Sequence, residues 1–203
     1  MKLQWHGHSC FQVFSGEHSV VFDPYEDGSI PGCGPLRLTA DAVFCSHDHH
    51  DHNARSVVAL TGRSCPVKVE TISCFHDDKL GILRGKNTIH ILSAEGIRVA
   101  HLGDIGHMLS GKKLEALKGV DVLLVPVGGF FTIDAATAKG LADAVGARVV
   151  IPMHYRLGGM GFDKIAELKD YTALCDNVQY YDCDTFDLTE DTPAQTAVLT
   201  YGK

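Results

Sequence analysis

The stretch Ser46-His47-Asp48-His49-His50-Asp51-His52-Asn53 contains four histidines and two aspartates at six consecutive positions. It directly follows the apolar run Ala42-Val43-Phe44-Cys45. A short apolar run bounded by turn residues predicts a buried strand, so the cluster is expected on the loop at the strand's carboxyl end. In an extended chain His47, His49 and Asp51 would point the same way, because side chains alternate between two faces. Imidazole and carboxylate groups are ligands of Zn²⁺, Mn²⁺ and Fe²⁺, which favours a metal site over a solvated polar loop.

Further candidate ligands follow other predicted strands. His76 follows a strand predicted over residues 71–75, Asp104 follows one over 97–101, and His154 follows one over 147–153. Functional groups carried on loops gather at such strand ends, so the three side chains are predicted to join the cluster. His101 lies three residues before Asp104 and is an alternative to His76 as a ligand.

The order of predicted elements indicates the fold class. Short strands with tight turns fill the first half, except for a helix predicted over residues 54–60. Helices predicted over 109–117, 134–145 and 163–175 then alternate with strands. This order predicts an α/β protein in which two sheets pack face to face with helices outside. We expect one domain over residues 1–203, because the length suits a single core.

Composition narrows the class of protein. The formal net charge of −7 argues against a nucleic-acid partner, since such proteins usually carry a basic face. No apolar run reaches the roughly 18 residues of a membrane span. The seven cysteines show no CxxC spacing, and the first residues lack the apolar segment of a signal peptide. We therefore expect a cytoplasmic protein with reduced thiols.

The arrangement His47-x-His49-x-Asp51-His52 matches the His-x-His-x-Asp-His signature of the metallo-β-lactamase fold superfamily. The motifs of that superfamily, in order, would correspond here to Asp23, the histidine cluster, His76, Asp104 and His154. Four further stretches bring the match closer: Trp5-His6-Gly7-His8-Ser9-Cys10-Phe11, Phe22-Asp23-Pro24-Tyr25, His101-Leu102-Gly103-Asp104 and Pro152-Met153-His154-Tyr155. The chain resembles a subgroup of small Zn-dependent hydrolases that is also similar to the L-ascorbate-6-phosphate lactonases and N-acyl-phosphatidylethanolamine phospholipase D.

The resemblance implies a four-layer αβ/βα sandwich with a dinuclear metal site. It assigns His47, His49 and His76 to one metal, Asp51, His52 and His154 to the other, and Asp104 to a bridge between them. Spacing within the family favours His76 over His101. Two divalent ions are expected, with Zn²⁺ first and Mn²⁺ or Fe²⁺ as alternatives. Asp23 is expected either to orient a ligand histidine or to be a plain turn residue before Pro24.

The implied activity is hydrolysis by a hydroxide that bridges the two metals. Asp51 and Asp104 would partly offset the charge of the metals, and Asp104 would also orient the hydroxide. The candidates for the proton donor to the leaving group are His8, His101, His107 and Tyr155.

The expected substrate is a small anionic ester, with a phosphodiester or a lactone as the bond. Lys79, Arg84, Lys86 and Arg156 lie on loops where they could bind its charge, although solvated loop positions explain such residues as well. The alternatives are a non-catalytic metal-binding or sensing protein on the same scaffold and an Fe-dependent oxygenase. The sequence leaves a homo-oligomer open.

Overall fold

The computed structural model describes residues 1–202, which contain strands β1 to β14, helices α1 to α3 and one 3₁₀ turn. The strands are β1 (Lys2–Trp5), β2 (Phe11–Ser15), β3 (His18–Phe22), β4 (Leu38–Ala40), β5 (Ala42–Phe44), β6 (Val58–Leu60), β7 (Lys68–Phe75), β8 (Lys86–Ala94), β9 (Ile97–His101), β10 (Val122–Pro126), β11 (Val149–Met153), β12 (Val178–Tyr180), β13 (Thr185–Asp187) and β14 (Gln195–Val198). The helices are α1 (Gly111–Leu117), α2 (Ala135–Val145) and α3 (Leu168–Thr172), and the 3₁₀ turn is Arg55–Val57.

The strands form two large sheets and one small one. The first sheet has the order β13-β1-β2-β3-β5, and the second has the order β12-β14-β11-β10-β9-β8-β7. Pairing is antiparallel in the first sheet except between β3 and β5. In the second sheet, β8 pairs antiparallel with both β7 and β9. The neighbouring strands β9, β10, β11, β14 and β12 pair in parallel. Strands β4 and β6 form a separate parallel pair.

One apolar core joins the two large sheets. It contains Val20 and Phe22 of β3 together with Ile91 of β8 and Leu123 of β10. Val21 lies between the first two in sequence but belongs to a second cluster, as expected when successive side chains of a strand face opposite ways. That second cluster is completed by the 24–37 loop and the β4–β6 pair, which cover the outer face of the first sheet.

Helix α2 packs against α1, α3 and β10 of the second sheet. Its buried residues Ala138, Leu141, Ala142 and Val145 follow the spacing of one helix face. The carboxylate of Asp134 accepts the backbone N–H of Thr137, and Gly146 ends the helix at φ 70°. Within residues 1–202, no helix is both long and apolar enough to cross a membrane.

The helix predicted over residues 54–60 is wrong. The Asn53 amide donates to Asp48 at 2.6 Å instead of capping a helix. The chain makes only the 3₁₀ turn Arg55–Val57 before Val58–Leu60 pairs with β4. Pairing with β4 therefore outweighs the weak helical pattern of this segment, and β-branched valines fit a strand better than a helix.

The helix predicted over residues 163–175 is much shorter than expected, because it spans only Leu168–Thr172. The preceding backbone is used in loop contacts: the Ala166 N–H donates to the Gly128 carbonyl at 2.7 Å, and the Ala166 carbonyl accepts from the Arg156 N–H at 2.9 Å. These contacts hold the segment against Gly128, in the loop that follows β10, and against Arg156. The residue that precedes the first turn of the helix is therefore Glu167, not Asp163 at the predicted start.

The structure buries His90 between the two sheets. Its ring lies 5.8 Å from that of Phe22 and 5.6 Å from that of Phe44, centroid to centroid. The residue is 4% exposed. A histidine on β8 thus packs against two aromatic rings of the first sheet.

Candidate metal centre

Six strands direct their carboxyl ends to one edge of the molecule. Strands β1, β3 and β5 run the same way in the first sheet, and β7, β9 and β11 run the same way in the second. A candidate side chain or loop follows each of them: His8, Asp23, the 46–53 loop, His76, Asp104 and His154. The sheets thus position side chains that are far apart in the sequence.

The structure gathers seven donors into two groups. Within each group, one ligand atom from each residue lies within 4.8 Å of the others. The first group comprises His47, His49 and His76, and the second comprises His8, Asp51, His52 and His154. The two sets of three expected from the sequence are therefore brought together, and His8 joins the second.

Asp104 lies between the two groups. Its Oδ2 is 3.3 Å from His76 Nε2 in the first group and 3.2 Å from His154 Nε2 in the second. Its Oδ1 is 3.3 Å from His52 Nε2. One buried carboxylate therefore contacts donors of both groups.

The 46–53 loop is not extended, contrary to the expectation that His47, His49 and Asp51 point the same way. The His52 N–H donates to the His49 carbonyl at 2.9 Å, which turns the chain tightly. Asp51 consequently faces the second group beside His52, whereas His47 and His49 form part of the first. Local backbone hydrogen bonding, rather than strand alternation, divides the cluster.

Asp23 holds the loop and its histidines in place. Its carboxylate accepts the backbone N–H of Ser46 at 2.7 Å and the Ser46 hydroxyl at 2.6 Å, and it lies 2.8 Å from His52 Nδ1. Ser46 Oγ is in turn 2.9 Å from His47 Nδ1. Engaging Nδ1 of both rings leaves each Nε2 free to act as a ligand. Burial acts to raise the pKa of Asp23, but the nearby His101 and His52 lower it below its ordinary value.

Asn87 anchors the loop that carries Asp104, and no sequence pattern pointed to it. Its buried amide accepts the Asp104 N–H at 2.9 Å and donates to the Leu102 carbonyl at 2.9 Å. Gly103 packs so closely that an added Cβ would lie 2.3 Å from the Ser46 side chain. The loops after β5 and β9 therefore need a glycine where they meet.

Three residues of the site have left-handed backbone conformations: His8 at φ 52°, Asp23 at φ 46° and His154 at φ 53°. Such conformations are uncommon for residues other than glycine and concentrate at functional sites. The His8 carbonyl accepts from the Trp5 indole at 3.0 Å and from the His154 N–H at 3.3 Å. These contacts maintain the strained backbone at two of the three positions.

The buried polar atoms of the site fit a bound cation. Nε2 of His47, His52 and His154 and Oδ1 of Asp104 have no hydrogen-bond partner among the described residues. Burying such groups without a partner is costly, and a cation would satisfy them together. Burial lowers the pKa of His47 to about 3 and that of His8 to about 4, which favours the neutral imidazole that binds metals.

The charges around His52 also favour a bound cation. Burial alone would lower its pKa, but Asp104 and Asp23 raise it well above the ordinary value. Two buried carboxylates therefore create a strongly negative environment at this nitrogen. Such an environment attracts a positive charge.

His101 is not brought into either group. Its Nε2 lies 2.8 Å from the Ser9 carbonyl, and its Nδ1 accepts the Gly103 N–H at 3.1 Å. The ring also stacks on Phe22, with the centroids 5.4 Å apart. With both nitrogens engaged by backbone, His101 has neither a free donor for a leaving group nor a free ligand for a metal. Of the two alternatives, His76 is the one in the first group.

Two other candidate proton donors also lie outside the groups. His107 has Nδ1 2.9 Å from the Met108 carbonyl and accepts the Phe75 N–H at Nε2. Tyr155 is buried against Trp5, with the ring centroids 5.6 Å apart. His8 is therefore the only one of the four candidates that the structure places among the metal donors.

A cavity of about 320 Å³ opens onto the two groups. Its lining residues are His49, His50, Asp51, His76, Arg84, Asp104, Phe131 and Phe162. Arg84 is the one positively charged side chain in that lining within residues 1–202, and it lies 5.7 Å from the centre of the Phe131 ring. Lys79 and Arg156 instead pair with Asp78 and Glu167. Sequence patterns did not identify Phe131 or Phe162, because their place in the wall depends on how distant loops meet.

Comparisons with known proteins agree with this geometry. Residues 2–154 match the family model described as "Beta-lactamase superfamily domain". A UPF0173 metal-dependent hydrolase of Methanospirillum hungatei is 31% identical over 199 residues, covering 82% of this chain and 86% of that protein. One from Thermoplasma acidophilum is 27% identical and covers 89% of this chain and 93% of its own.

A crystal structure from Thermotoga maritima, assigned as a Zn-dependent hydrolase of the metallo-β-lactamase superfamily, has a TM-score of 0.77 and 33% identity. It covers 98% of this chain and 97% of its own. The fold class predicted from the sequence, an α/β sandwich of the metallo-β-lactamase type, is thereby confirmed. The chain belongs to the β-lactamase superfamily, in which it is a metal-dependent hydrolase.

Proposed function

We propose that this protein is a dinuclear hydrolase that cleaves a small anionic ester, either a phosphodiester or a lactone. The observation that carries the proposal is the position of Asp104, whose single carboxylate contacts histidines of both donor groups. A carboxylate shared in this way suits a pair of cations better than one cation. Retention of both complete groups supports an enzyme over a non-catalytic metal-binding protein.

The first metal would be held by His47, His49 and His76, the second by Asp51, His52 and His154, with Asp104 between them. Histidine and carboxylate donors suit Zn²⁺, with Mn²⁺ and Fe²⁺ as alternatives. When bound, divalent ions at such a site activate water as a nucleophile and polarise the bond to be cleaved.

The chain itself would supply charge balance and orientation. Asp51 and Asp104 offset the positive charge, and Asp23 fixes the ring of His52 through the 2.8 Å contact to Nδ1. Ligand histidines held in this way do not have to reorient during the reaction, which is the basis of preorganised catalysis.

Arg84 supports an anionic substrate. It provides the positive charge in a cavity otherwise lined by histidines, carboxylates and two phenylalanines. A guanidinium group can bind a carboxylate or phosphate through two parallel hydrogen bonds. The phenylalanines, Phe131 and Phe162, would pack against an apolar part of the same molecule, and the cavity volume of about 320 Å³ limits its size.

The first prediction tests this proposal. Purified protein reconstituted separately with Zn²⁺ and Mn²⁺ is assayed against phosphodiesters, which are themselves anionic, and against lactones and thioesters, each with and without an added anionic group. We expect metal-dependent turnover of a phosphodiester or a lactone, with the anionic analogue preferred. Asp51→Ala should lose one metal equivalent and about 100-fold or more in activity, because a ligand is removed.

Asp48→Ala is the matched control, since Asp48 lies in the same loop, is exposed and belongs to neither donor group. It should keep both metal equivalents and full activity. Two bound metals with no turnover of any compound would contradict the proposed reaction and favour the sensing role. Full metal content in Asp51→Ala would contradict the ligand assignment.

A further inference from the structure

His8 occupies a position that the proposed ligand sets leave unexplained. It follows β1, is 2% exposed, and neither ring nitrogen has a hydrogen-bond partner among the described residues. Its ring centroid lies 4.1 Å from that of His154 and 5.4 Å from that of His52. Its Nε2 is 3.5 Å from Oδ2 of Asp51. An unpartnered buried imidazole thus faces three donors of the second group.

The distances match those between ligands of one ion. With five donors around one zinc ion at the usual bond lengths, neighbouring donor atoms lie about 3.0–3.6 Å apart. Within the second group, His52 Nε2 lies 3.6 Å from Asp51 Oδ2 and 3.3 Å from Asp104 Oδ1. The His8 separation of 3.5 Å falls between these values. It is longer than the roughly 2.7–2.9 Å of a charge-assisted hydrogen bond to a carboxylate.

The backbone fixes this position. His8 has φ 52°, and its carbonyl accepts both the Trp5 indole and the His154 N–H. A left-handed backbone at a residue other than glycine is costly and persists only where its surroundings impose it. The same hydrogen bond that joins the His8 carbonyl to His154 places their two rings side by side.

From these contacts we infer that His8 is an additional ligand of the second metal, beside Asp51, His52 and His154. The inference rests on the proposed dinuclear site. With His8 as a ligand, the two metal sites differ in their number of protein donors. Apart from the shared Asp104, the second site has four and the first has three. The first also includes His49, which is exposed, whereas His8, His52 and His154 are all buried. The second site should therefore hold its metal more tightly.

The second prediction tests this ligand through metal affinity. Metal-free protein is titrated with Zn²⁺ in competition with a chromophoric chelator, and separately with Co²⁺ while visible absorption is recorded. The wild type should bind two equivalents. His8→Ala should bind one of them about 100-fold more weakly, with the other unchanged, and the Co²⁺ bands of the affected equivalent should change.

His8→Gln separates a ligand from a positioning residue. The glutamine amide can still donate a hydrogen bond to Asp51 but is a poor ligand for Zn²⁺, so this variant should behave like His8→Ala. Wild-type affinity in His8→Gln would overturn the inference. His101→Ala removes an equally buried histidine that contacts only backbone at its nitrogens, and it should keep both affinities.

The outcomes distinguish this inference from the proposed function. If His8→Ala and His8→Gln bind both equivalents as the wild type does while the wild type hydrolyses its substrate, only the inference about His8 fails. If the wild type binds fewer than two equivalents, the dinuclear proposal fails, and the inference about His8 fails with it.

Discussion

At the scale of single residues, the site depends on side chains that hold the candidate ligands rather than on the ligands alone. Asp23 contacts His52 directly and reaches His47 through Ser46. Asn87 fixes the backbone of Asp104. Each engages one atom of a candidate ligand and so directs another atom toward the centre, which is the usual role of groups behind a metal site.

The third prediction compares two histidines that the sequence offered as alternatives, with the family resemblance favouring His76. His76→Ala should lose most of one metal equivalent and most activity, because His76 Nε2 faces Asp104 at 3.3 Å. His101→Ala should retain both equivalents, since its nitrogens contact the Ser9 carbonyl and the Gly103 N–H. Metal content by mass spectrometry after dialysis decides between them. The reverse result would exchange their roles.

At the scale of elements, the loop between β7 and β8 is organised by one buried carboxylate. Asp77 accepts the backbone N–H groups of Lys79, Gly81, Leu83 and Arg84 at 2.8–3.0 Å. Burial acts to raise the pKa of Asp77, but these four hydrogen bonds lower it below the ordinary value. The loop that begins beside His76 therefore has a fixed shape where it presents Arg84 to the cavity.

The fourth prediction concerns this loop. Asp77→Ala leaves four N–H groups without their acceptor, so amide exchange in residues 79–84 should accelerate. Because Arg84 would lose its position, kcat/KM for an anionic substrate should fall by about 10- to 100-fold. Asp78→Ala is the control, since Asp78 is exposed and makes only an ion pair with Lys79. Equal effects in the two variants would contradict the role given to Asp77.

At the scale of the whole molecule, burial affects the protonation of several histidines. Burial lowers the pKa of six of them, namely His6, His8, His47, His76, His90 and His101. A histidine that is harder to protonate in the folded chain than in the unfolded chain stabilises the fold above its unfolded pKa. That contribution disappears as the pH falls toward the folded pKa. The metal-free protein should therefore be sensitive to mild acid.

The fifth prediction isolates His90, which belongs to neither donor group. Burial lowers its pKa from 6.5 to about 4, so its contribution is complete above pH 6.5 and is lost progressively down to about pH 4. Below pH 6.5 the loss amounts to about 1.4 kcal/mol per pH unit. The protonation of His90 should therefore account for about 2 kcal/mol of the free energy of unfolding that is lost between pH 7 and pH 5. Urea unfolding of metal-free His90→Leu should show a correspondingly smaller loss between these pH values. His50→Leu, at an exposed position, should lose as much as the wild type.

The sequence by itself determined the fold class and most of the donors. Four of the candidate donors lie within six residues, namely His47, His49, Asp51 and His52. Apolar runs predicted strands before His76, Asp104 and His154. Local information was therefore sufficient for the fold class and for these donors. The helix predicted over residues 54–60 is absent and the one predicted over 163–175 is shortened, because tertiary contacts use the backbone of residues 58–60 and of Ala166.

Only the tertiary structure decided how the donors divide into two groups, that His8 joins them and that His101 does not. It also decided that Arg84 faces the cavity while Arg156 pairs with Glu167. The physical reason is that these relations depend on distances between residues up to about 150 positions apart, such as His8 and His154. Strand order, sheet packing and loop hydrogen bonds set those distances, and no local pattern in a single sequence records them.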